Sequence, residues 1–401
     1  MYGLPQAGKL AQERLCAHLL PFGYAQDPNV PCLFKHESNG MQFTLVVDDF
    51  GIKYFSRESA EHLIACLEVL YPLKVNWTGH KYLGMNIDFA ADRRSVTLSM
   101  PGYVRKQLLR FSRRGGQAQA KSPTVYVPWH PRSGTQFVEP DESAPLTAAE
   151  ITEVQEIVGC FLWYARVIDS TFLPAVNIIG SEMVNPTQHL LRQCERLLAY
   201  AAAYPDNVLV YRASDMVLEV QTDASYLSRS RSRSVAGGIG YLGSPGPGDL
   251  PNGAVVTLSS VLDVVVASAG EAEYGAMFTM AQKAEFTRTV LVALGHAQPP
   301  TEIFCDNECA NGLANDTVKQ RRSKSVDMRY HWVRDRVRQG HFKVTWRSGK
   351  QLLADFFTKA LPVHRHQELM KSLVSIPIAD PDHFIAVRAK KANAHRAFLP
   401  A

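Results

Sequence analysis

Two adjacent aspartates, Asp48 and Asp49, are the first residues whose placement indicates chemistry. They follow the apolar run 45–47 and precede Phe50 and Gly51, a pattern that predicts a β-hairpin with both carboxylates at its tip. Paired carboxylates in an apolar strand are costly to desolvate unless a cation binds them, and their hard oxygens suit Mg²⁺. The pattern predicts a divalent-metal site. A solvated turn is the alternative, because Asp is a common turn residue.

A second polar segment, residues 228–234, alternates serine with arginine. Arg229, Arg231 and Arg233 are candidates for contacts with nucleic-acid phosphates, which position a protein on its partner without reading base sequence. A polar hairpin turn between two strands is the alternative interpretation. If these arginines contact phosphates, added salt should weaken nucleic-acid binding through them. If the segment is only a turn, it should not.

Composition limits the classes to which the chain can belong. Its 401 residues are enough for two or three domains, and 46% apolar with 20% charged residues is typical of globular proteins. The net charge of +5 permits a nucleic-acid partner without requiring one. Seven cysteines without a Cys-x-x-Cys pair indicate reduced thiols and argue against zinc. No apolar run approaches the roughly 18 residues of a membrane span, so we expect no membrane partner.

The elements expected around Asp48 and Asp49 follow a recognisable order. A Pro/Gly-rich loop at 2–9 leads into a predicted helix at 10–20, and the hairpin comes next. An amphipathic helix is predicted at 59–71, because its apolar residues follow a helical period. A strand pair opens at 81–85, and a further helix is expected at 103–111.

This order of motifs resembles the reverse transcriptase of copia-type retrotransposons. The resemblance implies that the loop and helix containing Gln6 and Lys9 hold template and incoming nucleotide. It also implies that Asp48 and Asp49 bind magnesium and that the Tyr-Leu-Gly strand at 82–84 contacts the primer.

In that family a third metal-binding aspartate lies upstream of the loop-and-helix motif. We therefore expect residues 1–116 to form a truncated palm and thumb, without the fingers and the first palm motif. RNA-directed DNA polymerase activity is expected only if the missing N-terminal part is supplied.

Residues 117–215 are expected to connect two larger units. The stretch 117–147 is rich in Pro, Ser and Gly and predicts a linker. Thr147 followed by Glu150 predicts a capping box at the start of a helix. Long amphipathic helices are expected at 153–168 and 186–204, so this region is predicted to be a helical connection.

The segment 216–362 predicts a mixed sheet with helices on its faces. The fold class of the whole chain is accordingly α/β and α+β, and residues 363–401 are expected to be a basic C-terminal tail. The predicted strands of the sheet are 216–223, 235–242, 254–259, 301–306 and 341–346, with helices at 267–294, 308–316, 326–339 and 351–360.

This segment resembles, end to end, the ribonuclease H domain of copia-type elements. The resemblance implies a catalytic, metal-binding set in which Asp223 ends the first strand, Glu273 lies in the long helix, Asp306 ends a strand and Asp355 opens the last helix. Two-metal phosphodiester hydrolysis needs carboxylates that hold ions about 4 Å apart, and two Mg²⁺ or Mn²⁺ ions are expected. Glu271 and Glu273 are about 200° apart on a helix and cannot both face the site; the resemblance favours Glu273.

The expected function is metal-dependent hydrolysis of RNA in RNA–DNA hybrids by a retrotransposon polyprotein fragment. The alternative is a catalytically inactive nucleic-acid-binding remnant of such an element. Expected partners are the RNA–DNA hybrid, RNA, DNA and the rest of the polyprotein. The expected location is cytoplasmic or nuclear, within a virus-like particle in the parent element.

Overall fold

Three β-sheets and a layer of helices make up the described part of the chain. Part of the predicted linker and most of the predicted basic tail lie outside the described residues. No helix within the described part is long and apolar enough to cross a membrane. The computed structural model describes residues 5–114, 119–128, 141–244, 251–317 and 327–377.

The first sheet is a four-stranded antiparallel meander that shares one core with two helices. The stacked rings of Phe34 and Phe43, with centroids 4.7 Å apart, lie in this core. Both predicted helices are present with shifted ends. The elements are α1 (Ala7–Leu19), β1 (Tyr24–Gln26), β2 (Leu33–His36), β3 (Gln42–Val46), β4 (Asp49–Lys53) and α2 (Arg57–Glu68).

The second sheet joins residues from distant parts of the chain. Its last strand pairs antiparallel with the preceding one, from Ser95 opposite Arg212 to Leu98 opposite Leu209. This strand lies within the expected helical connection and is not among the predicted elements. The elements are β5 (Lys81–Tyr82), β6 (Met85–Phe89), β7 (Ser95–Ser99), α3 (Tyr103–Arg110) and β8 (Leu209–Arg212).

The helical layer comprises α4 (Ala148–Val167), α5 (Leu173–Ser181) and α6 (Gln188–Ala203). The capping box predicted at the start of α4 is present: the Thr147 hydroxyl accepts from the Glu150 amide, and Glu150 accepts from the Thr147 amide at 2.9 Å. Helix α5 was not predicted, because its sequence is apolar nearly throughout and shows no polar face. Its burial within the layer explains that composition.

The third sheet is mixed and five-stranded, as predicted, in the order β11-β10-β9-β12-β13. Strand β10 is antiparallel to both of its neighbours, β11 and β9, while β12 and β13 run parallel to β9. One face packs on α7, and the other packs on the helical layer. The elements are β9 (Val217–Arg229), β10 (Arg233–Gly243), β11 (Ala254–Val261), α7 (Ala269–Ala293), β12 (Thr301–Cys305), α8 (Glu308–Ala314), α9 (Asp327–Arg338), β13 (Phe342–Trp346) and α10 (Val363–Leu373).

Three expectations for this region are wrong. Strand β9 continues six residues beyond Asp223, because β10 pairs with it as far as Arg229. The helix predicted at 351–360 is instead two short 3₁₀ turns, Gly349–Gln351 and Ala354–Phe357. The start of the predicted tail is helix α10, whose buried Leu369 and Leu373 belong to the core of the helical layer.

Candidate metal centre

Asp223 lies in the middle of the central strand β9 and not at its end. Its side chain is 1% exposed and faces the turn Ala354–Phe357. The Thr358 hydroxyl donates to Asp223 Oδ2, and the Lys359 ammonium donates to Oδ1 at 3.2 Å. Burial raises the pKa of Asp223 to about 7, and the nearby positive charge of Lys359 opposes that rise.

Glu273 and Glu271 have different partners at the start of α7. Glu271 accepts a hydrogen bond from the Ala267 amide at 2.8 Å, and its own amide donates to the N-cap residue Ser268. Glu273 is 8% exposed, and its Oε2 has no hydrogen-bond partner among the described residues. Burial, reinforced by the charges of Asp223 and Asp306, raises the pKa of Glu273. Glu271 therefore caps the helix, while Glu273 is directed into the protein.

Asp306 directly follows β12, which agrees with the expectation that it ends a strand. One potential ligand atom from each of Glu273, Cys305 and Asp306 lies within 4.8 Å of the other two. The indole Nε1 of Trp346 donates to the Asp306 carbonyl oxygen at 2.9 Å and fixes the backbone there. Burial raises the pKa of the half-buried Asp306 carboxyl. A Cβ at Gly349 would lie 2.6 Å from Asp306 Oδ2, so this glycine leaves room for the carboxylate.

Asp355 lies in the turn Ala354–Phe357, where it contacts Lys359. Asp355 therefore does not open a helix, as the resemblance implied, but lies in a four-residue turn. The nearby cation is Lys359, whose side chain is 16% exposed and bridges Asp355 and Asp223. Burial alone would lower the pKa of Lys359, but these two carboxylates raise it above its usual value.

Lys359 and Thr358 are not among the site residues expected from the sequence. A partner of this kind was to be expected in general, because buried carboxylates need a counter-charge or a hydrogen-bond donor. The chain contains 43 lysines and arginines. Spacing alone therefore did not show which cation reaches Asp223.

The donor set of this cluster fits a divalent ion of the Mg²⁺ type. Carboxylate oxygens are hard ligands, and the buried Glu273 Oε2 lacks a partner among the described residues. Cys305 does not fit as a ligand, since burial raises the pKa of its thiol and a neutral soft sulfur suits neither Mg²⁺ nor Mn²⁺. The acidic residues thus form a possible metal centre.

The hairpin predicted around Asp48 and Asp49 is present. Val46 pairs with Asp49, and Val47 and Asp48 form the two-residue loop, with Val47 at φ 59°. Both carboxylates are exposed. The expectation of a costly desolvation is therefore wrong, because both side chains remain exposed. The hairpin itself is compatible with either a metal site or a solvated turn.

The predicted nucleic-acid contacts of α1 are also exposed. Gln6 precedes the helix, and Lys9 lies in its first turn with its ammonium 3.7 Å from Glu13 Oε1. Such an exposed pair contributes little to stability. Both side chains are accessible to a nucleic-acid partner.

The three arginines between β9 and β10 have unlike environments. Arg229 is 7% exposed, and its Nε and Nη2 have no partner among the described residues; burial lowers its pKa to about 10, although Glu182 opposes the change. Arg233 donates to the Ser181 carbonyl oxygen at 3.2 Å. Arg231 is exposed in a left-handed turn conformation. Three equivalent phosphate contacts, as the alternating sequence implied, do not match this arrangement.

The chain is similar in sequence to Pol polyproteins of plant transposons. It is 25% identical over 384 residues to the retrovirus-related Pol polyprotein from transposon TNT 1-94 of Nicotiana tabacum, covering 94% of this chain and 28% of that protein. It is 26% identical over 370 residues to the polyprotein from transposon RE1 of Arabidopsis thaliana, covering 90% and 24%. The chain therefore spans about a quarter of the length of these relatives. No protein-family model matches it.

Two solved structures illustrate the structural similarity. The N-terminal RNase H domain of a Mycobacterium tuberculosis protein has a TM-score of 0.27 and 11% identity, over 39% of this chain and 96% of that one. The foamy viral protease-reverse transcriptase in complex with an RNA/DNA hybrid has a TM-score of 0.45 and 12% identity, over 87% and 39%. The sequence similarity to the transposon polyproteins carries the assignment: this chain is related to a segment of the retrovirus-related Pol polyproteins of plant copia-type transposons.

Proposed function

We propose that the chain hydrolyses the RNA strand of RNA–DNA hybrids, using two Mg²⁺ or Mn²⁺ ions held by Asp223, Glu273, Asp306 and Asp355. One observation carries the proposal: the nearly buried Glu273 offers a ligand atom within 4.8 Å of one from Asp306, and the nearly buried Asp223 interacts electrostatically with both carboxyl groups. Buried charges of like sign are costly to maintain. Such clusters are typical of catalytic or metal sites.

The ions, when bound, would activate water and stabilise the leaving oxygen of the phosphodiester. The chain's own residues determine where this can occur. Asp223 is held on the central strand, and the Thr358 hydroxyl fixes the orientation of its carboxylate. Asp306 is held after β12 by the hydrogen bond from Trp346, and Glu273 offers an oxygen with no partner among the described residues.

The proposal includes nucleic-acid contacts outside the cluster. Exposed Arg231, Gln6 and Lys9 are candidates for phosphate contacts, which contribute affinity without sequence preference. Asp48 and Asp49 are proposed to belong to a polymerase-related part spanning 1–116. The segments 117–215 and 216–362 likewise remain a proposed division, whereas the described start of 363–401 is helix α10 and not a tail.

The partners follow from the same proposal. They are RNA–DNA hybrid, RNA, DNA and the remainder of a Pol polyprotein. About three quarters of each matched relative lies outside the region that aligns with this chain. Cytoplasmic or nuclear location stays a prediction of the sequence resemblance.

The test is cleavage of a labelled RNA–DNA hybrid by the purified full chain, resolved on a gel with Mg²⁺ and then with chelator. Asp223→Asn keeps the side-chain shape but removes its charge. The loss of activity should exceed the roughly 10–100-fold typical of residues that only support metal ligands. Glu273→Gln should reduce cleavage by a similar factor.

Glu271→Gln is the matched control, because Glu271 lies two residues away and caps the helix. It should retain most of the activity. Cleavage that survives Asp223→Asn, or a Glu271→Gln variant more impaired than Glu273→Gln, would overturn the assignment. Hybrid binding without cleavage by the unaltered chain would favour the inactive remnant.

A further inference from the structure

Lys359 occupies a position for which a metal ion would compete. Its ammonium lies 3.2 Å from Asp223 Oδ1 and also contacts Asp355 Oδ1, so it bridges two of the four proposed ligands. Its side chain is 16% exposed, and Asp223 is 1% exposed. An ammonium and a divalent ion cannot both use the same carboxylate oxygens at full strength.

The positive charge of Lys359 stabilises the fold around the acidic cluster. Asp223 and Glu273 are nearly buried close to Asp306, and without a cation their mutual repulsion and desolvation would destabilise the fold. Lys359 supplies one positive charge inside the cluster. Lys359 lies four positions after Asp355, and the turn Ala354–Phe357 with the backbone that follows it holds the two side chains close together.

A lysine is suited to reversible occupation of this position. Its ammonium is compact and sits on a flexible four-carbon stem, whereas a guanidinium is planar and larger. The partial exposure of the side chain leaves a route for the ammonium to move towards solvent. The position can therefore be vacated without unfolding the turn.

We propose that Lys359 is an exchangeable internal cation: it neutralises Asp223 and Asp355 in the metal-free chain, and a divalent ion displaces it. The inference rests on the proposed function only in taking these carboxylates as metal ligands. The exchange has two opposing effects on the chain. Lys359 keeps the metal-free cluster folded, and it raises the metal concentration needed to fill the site.

The test is thermal unfolding of the full chain, first with chelator and then over a titration with Mg²⁺ alone. Lys359→Gln should unfold at a lower temperature than the unaltered chain in chelator. Its half-saturating Mg²⁺ concentration for stabilisation should fall at least about tenfold, because one repelling positive charge beside the ion is removed. Lys359→Arg keeps the charge and should not show this fall.

Lys343→Gln is the matched control. Lys343 forms an ion pair with Glu302 between β13 and β12, is 65% exposed, and its loss changes the net charge equally. It should leave the half-saturating concentration within about twofold, because an exposed pair interacts weakly.

Three results would overturn the inference. They are an unchanged or higher Mg²⁺ requirement in Lys359→Gln, an unchanged unfolding temperature of that variant in chelator, and failure of that variant to fold even with saturating Mg²⁺. Because the readout is unfolding, it does not depend on cleavage. If Mg²⁺ stabilises the chain as expected but no hybrid is cut, the proposed function fails and the inference stands.

Discussion

Burial of carboxylates without full compensation is the main feature of the candidate site. Asp223 has the Thr358 hydroxyl and the Lys359 ammonium as partners, whereas Glu273 Oε2 has none among the described residues. Burial raises the pKa of both carboxyl groups. Selection for stability alone would favour apolar residues at such positions, so the arrangement is better explained by a bound cation.

Gly349 has no side chain that could collide with the Asp306 carboxylate, and this leads to a prediction. In Gly349→Ala the new Cβ would lie 2.6 Å from Asp306 Oδ2 and would force the carboxylate to move. We expect hydrolysis to fall about 10–100-fold, as when a group supporting a metal ligand is lost. The Mg²⁺ concentration for half-maximal cleavage should rise.

Gly159→Ala in α4 is the control for that substitution. A Cβ at Gly159 would meet nothing within 4 Å, and alanine in a helix interior should stabilise by about 0.5–1 kcal/mol. Hybrid cleavage and thermal unfolding measure the two effects. Equal activity of the two variants would show that Asp306 does not need the space at Gly349.

The sequence indicated the candidate acidic residues, but it did not indicate that Lys359 lies beside them. The family resemblance implied each acid, and in the structure Glu273 and Asp306 lie together while Asp223 interacts electrostatically with both. The contact between Lys359 and Asp223 joins residues 136 positions apart. It depends on how the turn Ala354–Phe357 folds back on β9 and β10, which no local pattern specifies.

At the scale of elements, α7 begins and ends within two residues of the helix predicted at 267–294, and its N-cap residue Ser268 accepts from the Glu271 amide. The helix expected at 351–360 was wrong for a physical reason. Leu352, Leu353, Phe356 and Phe357 have helical spacing, but all four are buried. Their spacing therefore reflects packing of short turns against the sheet and not one face of a helix.

The close contact between β10 and the turn Ala354–Phe357 leads to the second prediction. A Cβ at Gly237 would lie 2.4 Å from Thr358 Cγ2 and 3.0 Å from the Ala354 carbonyl oxygen. Gly237→Ala should push this backbone away from the strand, destabilise the chain by about 1–3 kcal/mol and reduce hydrolysis. Chemical denaturation and hybrid cleavage measure the two effects.

Gly243→Ala, at the end of the same strand, is the matched control. Its Cβ would meet only Glu219 Oε1, at the ordinary contact distance of 3.6 Å. It should change stability by less than the Gly237 variant and leave hydrolysis nearly intact. If Gly237→Ala retains full activity, the turn does not need to lie against β10 for the site to work.

At the scale of the whole molecule, one hydrophobic core connects the helical layer to the third sheet. Phe161 and Tyr200 of that layer share it with Ile239 of β10, Phe356 of the turn and Leu369 of α10. The sequence predicted most of these helices and strands, but not that they share a core. The face of β10 that carries Ile239 therefore belongs to a core formed jointly by the helical layer, the turn Ala354–Phe357 and α10.

His366 of α10 lies in this shared core and gives the chain a specific acid sensitivity. It is 4% exposed, with Nε2 3.2 Å from the Tyr200 hydroxyl and its ring 4.8 Å from that of Phe356. Burial, with a smaller contribution from the Arg196 charge, lowers its pKa from 6.5 to about 4. The folded state therefore favours the neutral imidazole, whereas the unfolded chain accepts a proton near pH 6.5.

The sign of the linkage follows from that lowered pKa. The contribution of His366 to stability is fully present above about pH 6.5 and is lost as pH falls towards 4. Between pH 7 and pH 5 this loss should be about 2 kcal/mol. His366→Gln cannot titrate and should lose correspondingly less free energy of unfolding over that interval, whereas His364→Gln, at an exposed position of the same helix, should match the unaltered chain. Denaturant unfolding of the three proteins at both pH values measures the difference, and parallel losses in all three would mean that His366 takes up its proton in the folded core.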